Sequence, residues 1–504
     1  MTHRKRIAGG TAAVLAATLA LAACGSGDDD SSGGGGDSGA LTWMSMLHTP
    51  TTPDPDGPIH EALVDYTGTD FEMQWVPDAS KEEKVNAALA SGTIADLTSL
   101  TQIDSTTVRN ALTSGMFWDV EPYLSEFDNL SQIPEATLEV ARVDGGLYGV
   151  PFQKPIARYG VLVRQDWLDN LGLEAPHTLD ELADVAQAFT EDDPDGNGQD
   201  DTTGFIERAE SFSLSFRIIA GYFGAGDKFE LDDEGNIVPA FTTDAWKEAM
   251  EWYREVYENG WMNQEFVTMQ KDNQRDAIAR GEGGIVITGL FEARGYVELA
   301  ESIDPETPME WAQINDMTYG DVPRRIVSDT NGGMGGWLAI NTQTVESEDD
   351  LREVLGFIDS LLDEEPFTLM TQGIEGEHYE VDEDGVYSRI NQTQWEQEVQ
   401  PYASSRPADN VIIFKSDNEL VNRADEMMAE NDEYAVVNPA QSLTSETYDQ
   451  QWSTIDQTVM DAFNQYMVGD LDMAGYEAAI DATRSQGLDD IITEFTEAYN
   501  SVNG

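Results

Sequence analysis

The chain has 504 residues, 40% of them apolar, with 96 acidic against 27 basic side chains and a net charge of −69. So negative a surface repels phosphate backbones and excludes nucleic acid as a partner. Its single cysteine rules out a disulfide scaffold, and five scattered histidines with no H-x-x-x-H spacing give no zinc motif. The acids are spread along the whole chain, which fits a solvated surface suited to high salt better than one cation-binding tail.

The first segment has the layout of a secretory signal. A basic start, His3-Arg4-Lys5-Arg6, leads into an apolar run from Ile7 to Leu21 and then Leu21-Ala22-Ala23-Cys24. The run is too short for a comfortable span of ~20 residues. A cysteine directly after Leu-Ala-Ala resembles the lipobox of bacterial lipoproteins. That resemblance implies removal of residues 1–23, lipidation of Cys24, and a protein held at the extracellular face of the cell membrane. An ordinary signal peptide with an incidental cysteine is the plain alternative. Residues 24–40, rich in Gly, Ser and Asp, then form a flexible tether.

From Leu41 onward, strand-like and helix-like segments alternate, so an α/β fold is expected, in two large lobes given the length. Leu41-Thr42-Trp43-Met44 opens it as a strand. Residues 81–89 read as a helix, 96–100 as a short strand, and 160–164 as another. Thr178-Leu179-Asp180-Glu181 is a capping-box pattern, followed by an apolar face of Leu179, Leu182, Ala186 and Phe189. An amphipathic helix over 245–258 stops at Asn259-Gly260. Residues 284–289 form a buried strand ending in a glycine turn, and 337–340 another strand. The C-terminal 30 residues read as helix.

The sharpest local motif is Asp193-Pro194-Asp195-Gly196-Asn197-Gly198-Gln199-Asp200-Asp201. Side-chain oxygens at Asp193, Asp195, Asn197 and Asp201, a carbonyl at Gln199 and glycine at the sixth position match the first part of a calcium loop. Gly204 stands where a bidentate glutamate belongs, so a remaining ligand must come from elsewhere or from water. A metal-free acidic turn is the alternative. No catalytic constellation stands out: there is no G-x-S-x-G, and carboxylate pairs are too common to single one out. Aromatics near strand ends are candidate platforms for sugar rings, although most tryptophans in any protein only pack.

Three stretches together resemble the extracellular solute-binding proteins of family 1, in the oligosaccharide-type lipoprotein branch that includes alginate binders. They are Tyr148-Gly149-Val150-Pro151-Phe152, Gly160 to Leu173, and Pro176 to Leu182. The calcium-like loop follows them, and Gly373-Ile374-Glu375-Gly376-Glu377-His378-Tyr379 extends the likeness. The resemblance implies a two-lobe fold of the periplasmic-binding-protein type (type II) with a hinge, crossing between lobes near residues 155, 313 and 375. The expected lobes are therefore 41–155 plus 313–375 and 156–312 plus 376–504. It implies a structural calcium ion at the loop, although the acid often found after its last ligand is Thr202 here. Trp43, Phe152, Arg158 and Trp337 fall near the expected cleft as candidate ligand contacts, with core packing as their alternative. The expected function is non-enzymatic: a monomeric, lipid-anchored receptor that captures an oligosaccharide and delivers it to the permease of an ABC importer. Neutral sugars suit the −69 charge better, unless Lys154, Arg158, Arg164, Arg294 or Arg324 lines the cleft. A surface-tethered carbohydrate-active enzyme, or a surface sensor or adhesin, remains the alternative.

Overall fold

In the computed structural model, which describes residues 39–49, 51–103, 105–409 and 411–503, two mixed sheets organise the chain. The first runs, in spatial order, Phe71–Pro77, Leu41–Leu47, Leu97–Leu100, Met334–Ile340 and Val150–Gln153. Leu41–Leu47 is parallel to both its neighbours, and Met334–Ile340 is antiparallel to both of its own. The second runs Trp311–Ile314, Tyr159–Arg164, Gly283–Gly289 and Thr203–Phe205. Each sheet has its own core. Trp43, Phe71, Trp337 and Phe357 pack in one, and Trp167, Phe189, Phe205 and Ile285 in the other. A further buried cluster, with Leu162, Ile278, Val286 and Trp311, also packs on the second sheet, and the two sheets with their separate cores make two lobes.

Local sequence explains the second lobe well. Gly283–Gly289 is buried along its whole length, as expected of a strand covered on both faces. A Cβ on Gly284 would stand 2.4 Å from Phe189 and 2.5 Å from Trp167, so the bare backbone there lets the helices close on the strand. The helix Leu179–Glu191 starts where the capping box predicts, with Thr178 and Glu181 each accepting from the other's backbone N–H. It buries Leu179, Leu182, Val185, Ala186 and Phe189. The sequence face missed only Val185.

The expected crossings need correction. The chain first passes between sheets over 154–158. Trp311–Ile314 pairs antiparallel with Tyr159–Arg164, so the segment around 313 stays in the second lobe. The return comes after Ile326–Val327 and ahead of Met334–Ile340. Likewise, Val399, Tyr402 and Ala408 pack in the first core, and Ala408 bridges to Gln153, so the third crossing follows residue 408, not 375. The four-residue strand at 311 pairs through its backbone at a sheet edge, which side-chain periodicity does not reveal. The signal segment, Cys24 and all of the tether up to residue 38 lie outside the described residues. Among the described residues no helix is long and apolar enough to cross a membrane.

Candidate ligand cavity between the lobes

The crossing segments lie side by side and are stitched together. Lys154 N–H donates to the Gly333 carbonyl at 2.9 Å, and Asp409 N–H to the Gln153 carbonyl at 2.9 Å. The hydroxyls of Ser328 and Thr330 donate to the carbonyl of Ile156 at 2.6 and 2.8 Å. Asp329, its side chain wholly buried, takes Arg158 Nε at 2.9 Å and Nη2 at 2.8 Å. Tyr159 is in register with Gly289, so Phe291, two residues past that strand's end, lies at the same end of the second sheet as the crossing. Ligand sites in open α/β sheets gather at such strand ends.

A cavity of about 400 Å³ opens there. Thr371 and Gln372 of the first lobe face it, Arg158 and Asp409 come from the crossings, and Phe291 and Arg294 from the second lobe. A hairpin, Tyr379–Val381 with Tyr387–Arg389, adds Tyr387 and Arg389. Phe291 is 43% exposed, an unusual state for a large apolar ring, and Arg158 stands 5.7 Å from its centroid. Asp409 Oδ1 receives both Lys154 Nζ at 2.8 Å and Arg406 Nη2 at 2.9 Å. Burial works against ionising this carboxyl, but Arg406 and Lys154 hold it below its ordinary range.

Of the four ligand contacts expected from the sequence, Arg158 alone lines this cavity. Trp43 and Trp337 are corrected to core residues. Trp43 packs on Phe71 and Phe357 and donates Nε1–H to Ser99 Oγ at 3.2 Å. Trp337 donates its own to the Ala141 carbonyl at 2.8 Å. Both are essentially unexposed, and Phe152 is buried in the same core. Of Lys154, Arg158, Arg164, Arg294 and Arg324, two, Arg158 and Arg294, line the cavity. Lys154 adjoins it through Asp409, whereas Arg164 pairs with Asp166 and Arg324 with Glu430. Sequence reading missed Phe291, although an aromatic two residues beyond a strand's glycine turn was a usable signal. It also missed Arg389 and Arg406, which only tertiary folding brings here.

The acidic loop has a partly organised geometry. Asp193, Gly196 and Gly198 take positive φ values of 50°, 69° and 77°. Asp193 accepts Gly198 N–H at 3.1 Å, closing the turn. Asn197 Nδ2 donates to Asp195 at 2.7 Å and to Asp201 at 3.2 Å, which draws these three side chains together. Burial raises the Asp195 carboxyl, and the charges of Asp201 and Asp193 add to it. Glu265 and Glu282 border the adjoining hollow. Among the described residues no group of three or more His, Cys, Asp or Glu is disposed to hold a metal. The donor set is oxygen-rich and hard, as calcium requires, but the Asn197 amide points its nitrogen at the carboxylates.

Residues 65–362 match the family model of the bacterial extracellular solute-binding proteins. The chain belongs to that family. Over 461 residues, 91% of each chain, it is 33% identical to the polygalacturonan/rhamnogalacturonan-binding protein YtcQ of Bacillus subtilis (strain 168). Lipoprotein LipO of the same organism is 29% identical over 466 residues, 91% of this chain and 92% of its own. Among solved structures, an EF-hand mutant of the S. pneumoniae ABC-transporter substrate-binding protein FusA, in complex with fructo-nystose, superposes with a TM-score of 0.65. It does so at 17% identity over 92% of this chain and 99% of its own. That likeness shows the shared two-lobe fold.

Proposed function

We propose that this solute-binding protein captures an oligosaccharide outside the cell by closing its lobes, and hands it to the permease of an ABC importer. The observation that carries the reading is the cavity of about 400 Å³, lined from both lobes and walled by the exposed Phe291 ring. A sugar lays its C–H face on such a ring while its hydroxyls take hydrogen bonds from the polar wall. A ligand touching both lobes binds the closed arrangement better than the open one, which is the condition for shifting the population toward closure. The polygalacturonan/rhamnogalacturonan binding for which YtcQ is named supports a carbohydrate ligand.

The protein does this without catalysis. Cys24 carries the lipid that keeps it at the membrane, and LipO, a lipoprotein by name, supports that anchor. The monomer is the working unit. Asp193, Asp195, Asn197, Gln199 and Asp201 hold a structural calcium ion once the Asn197 amide turns its oxygen inward, a flip of one side chain. The EF-hand of FusA, by name, supports this.

Thermal melting against a panel of oligosaccharides tests the reading. A ligand at about a hundred times its Kd adds ~2.7 kcal/mol, and the sugar is recovered intact. No shift with any sugar, or recovery in fragments, sinks it.

A further inference from the structure

The helix Glu419–Asn431 and the residue after it present one stripe to the cavity between the lobes. Val421, Asp425, Met428, Ala429 and Asp432 line it, at the i, i+4, i+7, i+8 and i+11 spacing of a single helical face. Of the three carboxylates on the cavity wall, two are occupied. Asp409 receives Lys154 and Arg406, and Asp432 Oδ1 accepts the Ile156 N–H at 3.1 Å. Asp425 differs. Among the described residues no cation, N–H or hydroxyl pairs with it. Its neighbours one turn away, Val421, Asn422, Met428 and Ala429, are uncharged, and the Asn422 amide is engaged with Ser416 at 2.8 and 2.9 Å. Burial raises the Asp425 carboxyl above its ordinary value with nothing to offset it.

The arginines of the same wall are already balanced. Arg158 pairs with Asp329, Arg294 with Glu298 and Arg406 with Asp409, while Glu298, Glu396 and Asp417 offset Arg389. An anionic ligand would therefore meet balanced cations and one unbalanced carboxylate. A cationic ligand would add to the mutual repulsion of Arg294 and Arg389. A neutral ligand rich in hydrogen-bond donors meets neither difficulty. It also supplies what a partly buried acceptor without donors lacks.

We propose that Asp425 selects the ligand, its carboxylate oxygens accepting hydroxyls of a neutral oligosaccharide and repelling sugar acids. This selectivity presupposes the oligosaccharide-receptor role above. It sets the chain apart from the polygalacturonan binding for which YtcQ is named.

The test is calorimetric titration of the purified protein with neutral hexose oligomers, a linear hexuronate oligomer and a hexosamine oligomer with free amines. At least one neutral oligomer is expected to bind, and the hexuronate about tenfold or more weaker, the scale of one hydrogen bond to a charged group. Asp425→Asn removes the charge and exchanges one acceptor oxygen for a donor. It should weaken the neutral oligomer about tenfold and leave the hexuronate unchanged or tighter, so the preference collapses. Asp425→Glu keeps the charge and should keep the rejection of hexuronate, a second reading should Asp425→Asn lose its fold. Undiminished neutral binding by Asp425→Asn, an equal loss for every oligomer, or a parent that prefers hexuronate or hexosamine overturns the proposal and leaves the receptor reading standing. Binding of no sugar overturns both.

Discussion

Gly373 and His378 occupy each other's space: a Cβ on Gly373 would stand 2.7 Å from the His378 ring. Gly373 holds φ +91°, which an L side chain rarely adopts. The ring is fully buried, with Nδ1 accepting Ile374 N–H at 3.0 Å and Nε2 facing Glu398 at 3.1 Å. Nδ1 as acceptor assigns the proton to Nε2, so the imidazole closes the turn and ties it to the helix Gln392–Glu398. Gly373→Ala therefore meets both strain and a clash, and is expected to cost about 1–3 kcal/mol. Denaturant unfolding measures it, and an unchanged midpoint would refute the fit described.

The motif around His378 was legible in the sequence as a motif, but its use was not. It reads as a family signature, whereas the structure makes it a tied turn beside the cavity-lining hairpin. The capping box at Thr178 and the strand at 284–289 were legible because neighbouring residues determine them. The strand at 311–314 was not, because its partner is about 150 residues away and its pairing is through backbone. Three of the four expected contacts, Trp43, Phe152 and Trp337, fall in the core, because an aromatic at a strand says nothing about which face it occupies, whereas Arg158 lines the cavity.

That distinction makes Phe291 and Trp337 a useful pair. Trp337→Ala empties a packed core site and removes a hydrogen bond, so a loss of about 3–5 kcal/mol in stability is expected. Phe291→Ala removes a ring already 43% exposed, so the fold should change little. Its loss should instead weaken sugar binding by about tenfold, one aromatic contact. Calorimetry and chemical denaturation on both variants separate the roles. A Phe291→Ala protein with unaltered affinity would remove that ring from the site.

Glu207 makes stability depend on pH. It is 1% exposed, and its carboxyl accepts the hydroxyls of Ser215 at 2.9 Å and Tyr253 at 2.7 Å. Burial raises its pKa from 4.5 to about 7, against these two hydrogen bonds. For an acid whose folded pKa is raised, the unfolded chain releases its proton first. The contribution is thus full below pH 4.5 and is lost as pH rises through about 7. Its size is of order 3 kcal/mol. Glu207→Gln keeps a carbonyl for Tyr253 and an amide for Ser215 but carries no charge. It should be more stable than the parent at about pH 8 and lack this part of the decline. Unfolding free energies across that range decide it, and parallel curves for the two proteins would contradict the assignment.

The acidic loop yields a prediction in which two effects of one substitution have opposite signs. Without a cation, the carboxylates of Asp193, Asp195 and Asp201 repel one another around Asn197. Removing one charge by Asp195→Asn should therefore raise the melting temperature of chelator-treated protein. On the calcium reading proposed above, the same carboxylates serve as ligands, and saturation at about a hundred times Kd should add ~2.7 kcal/mol to the parent. Asp195→Asn should shrink that increment, because it removes a charged oxygen from a site already lacking an acid at Gly204. Melting both proteins in chelator and in calcium gives four temperatures. If calcium lifts both proteins equally, the loop is an acidic turn and the ion binds elsewhere. If calcium lifts neither, the protein has no calcium site that stabilises it.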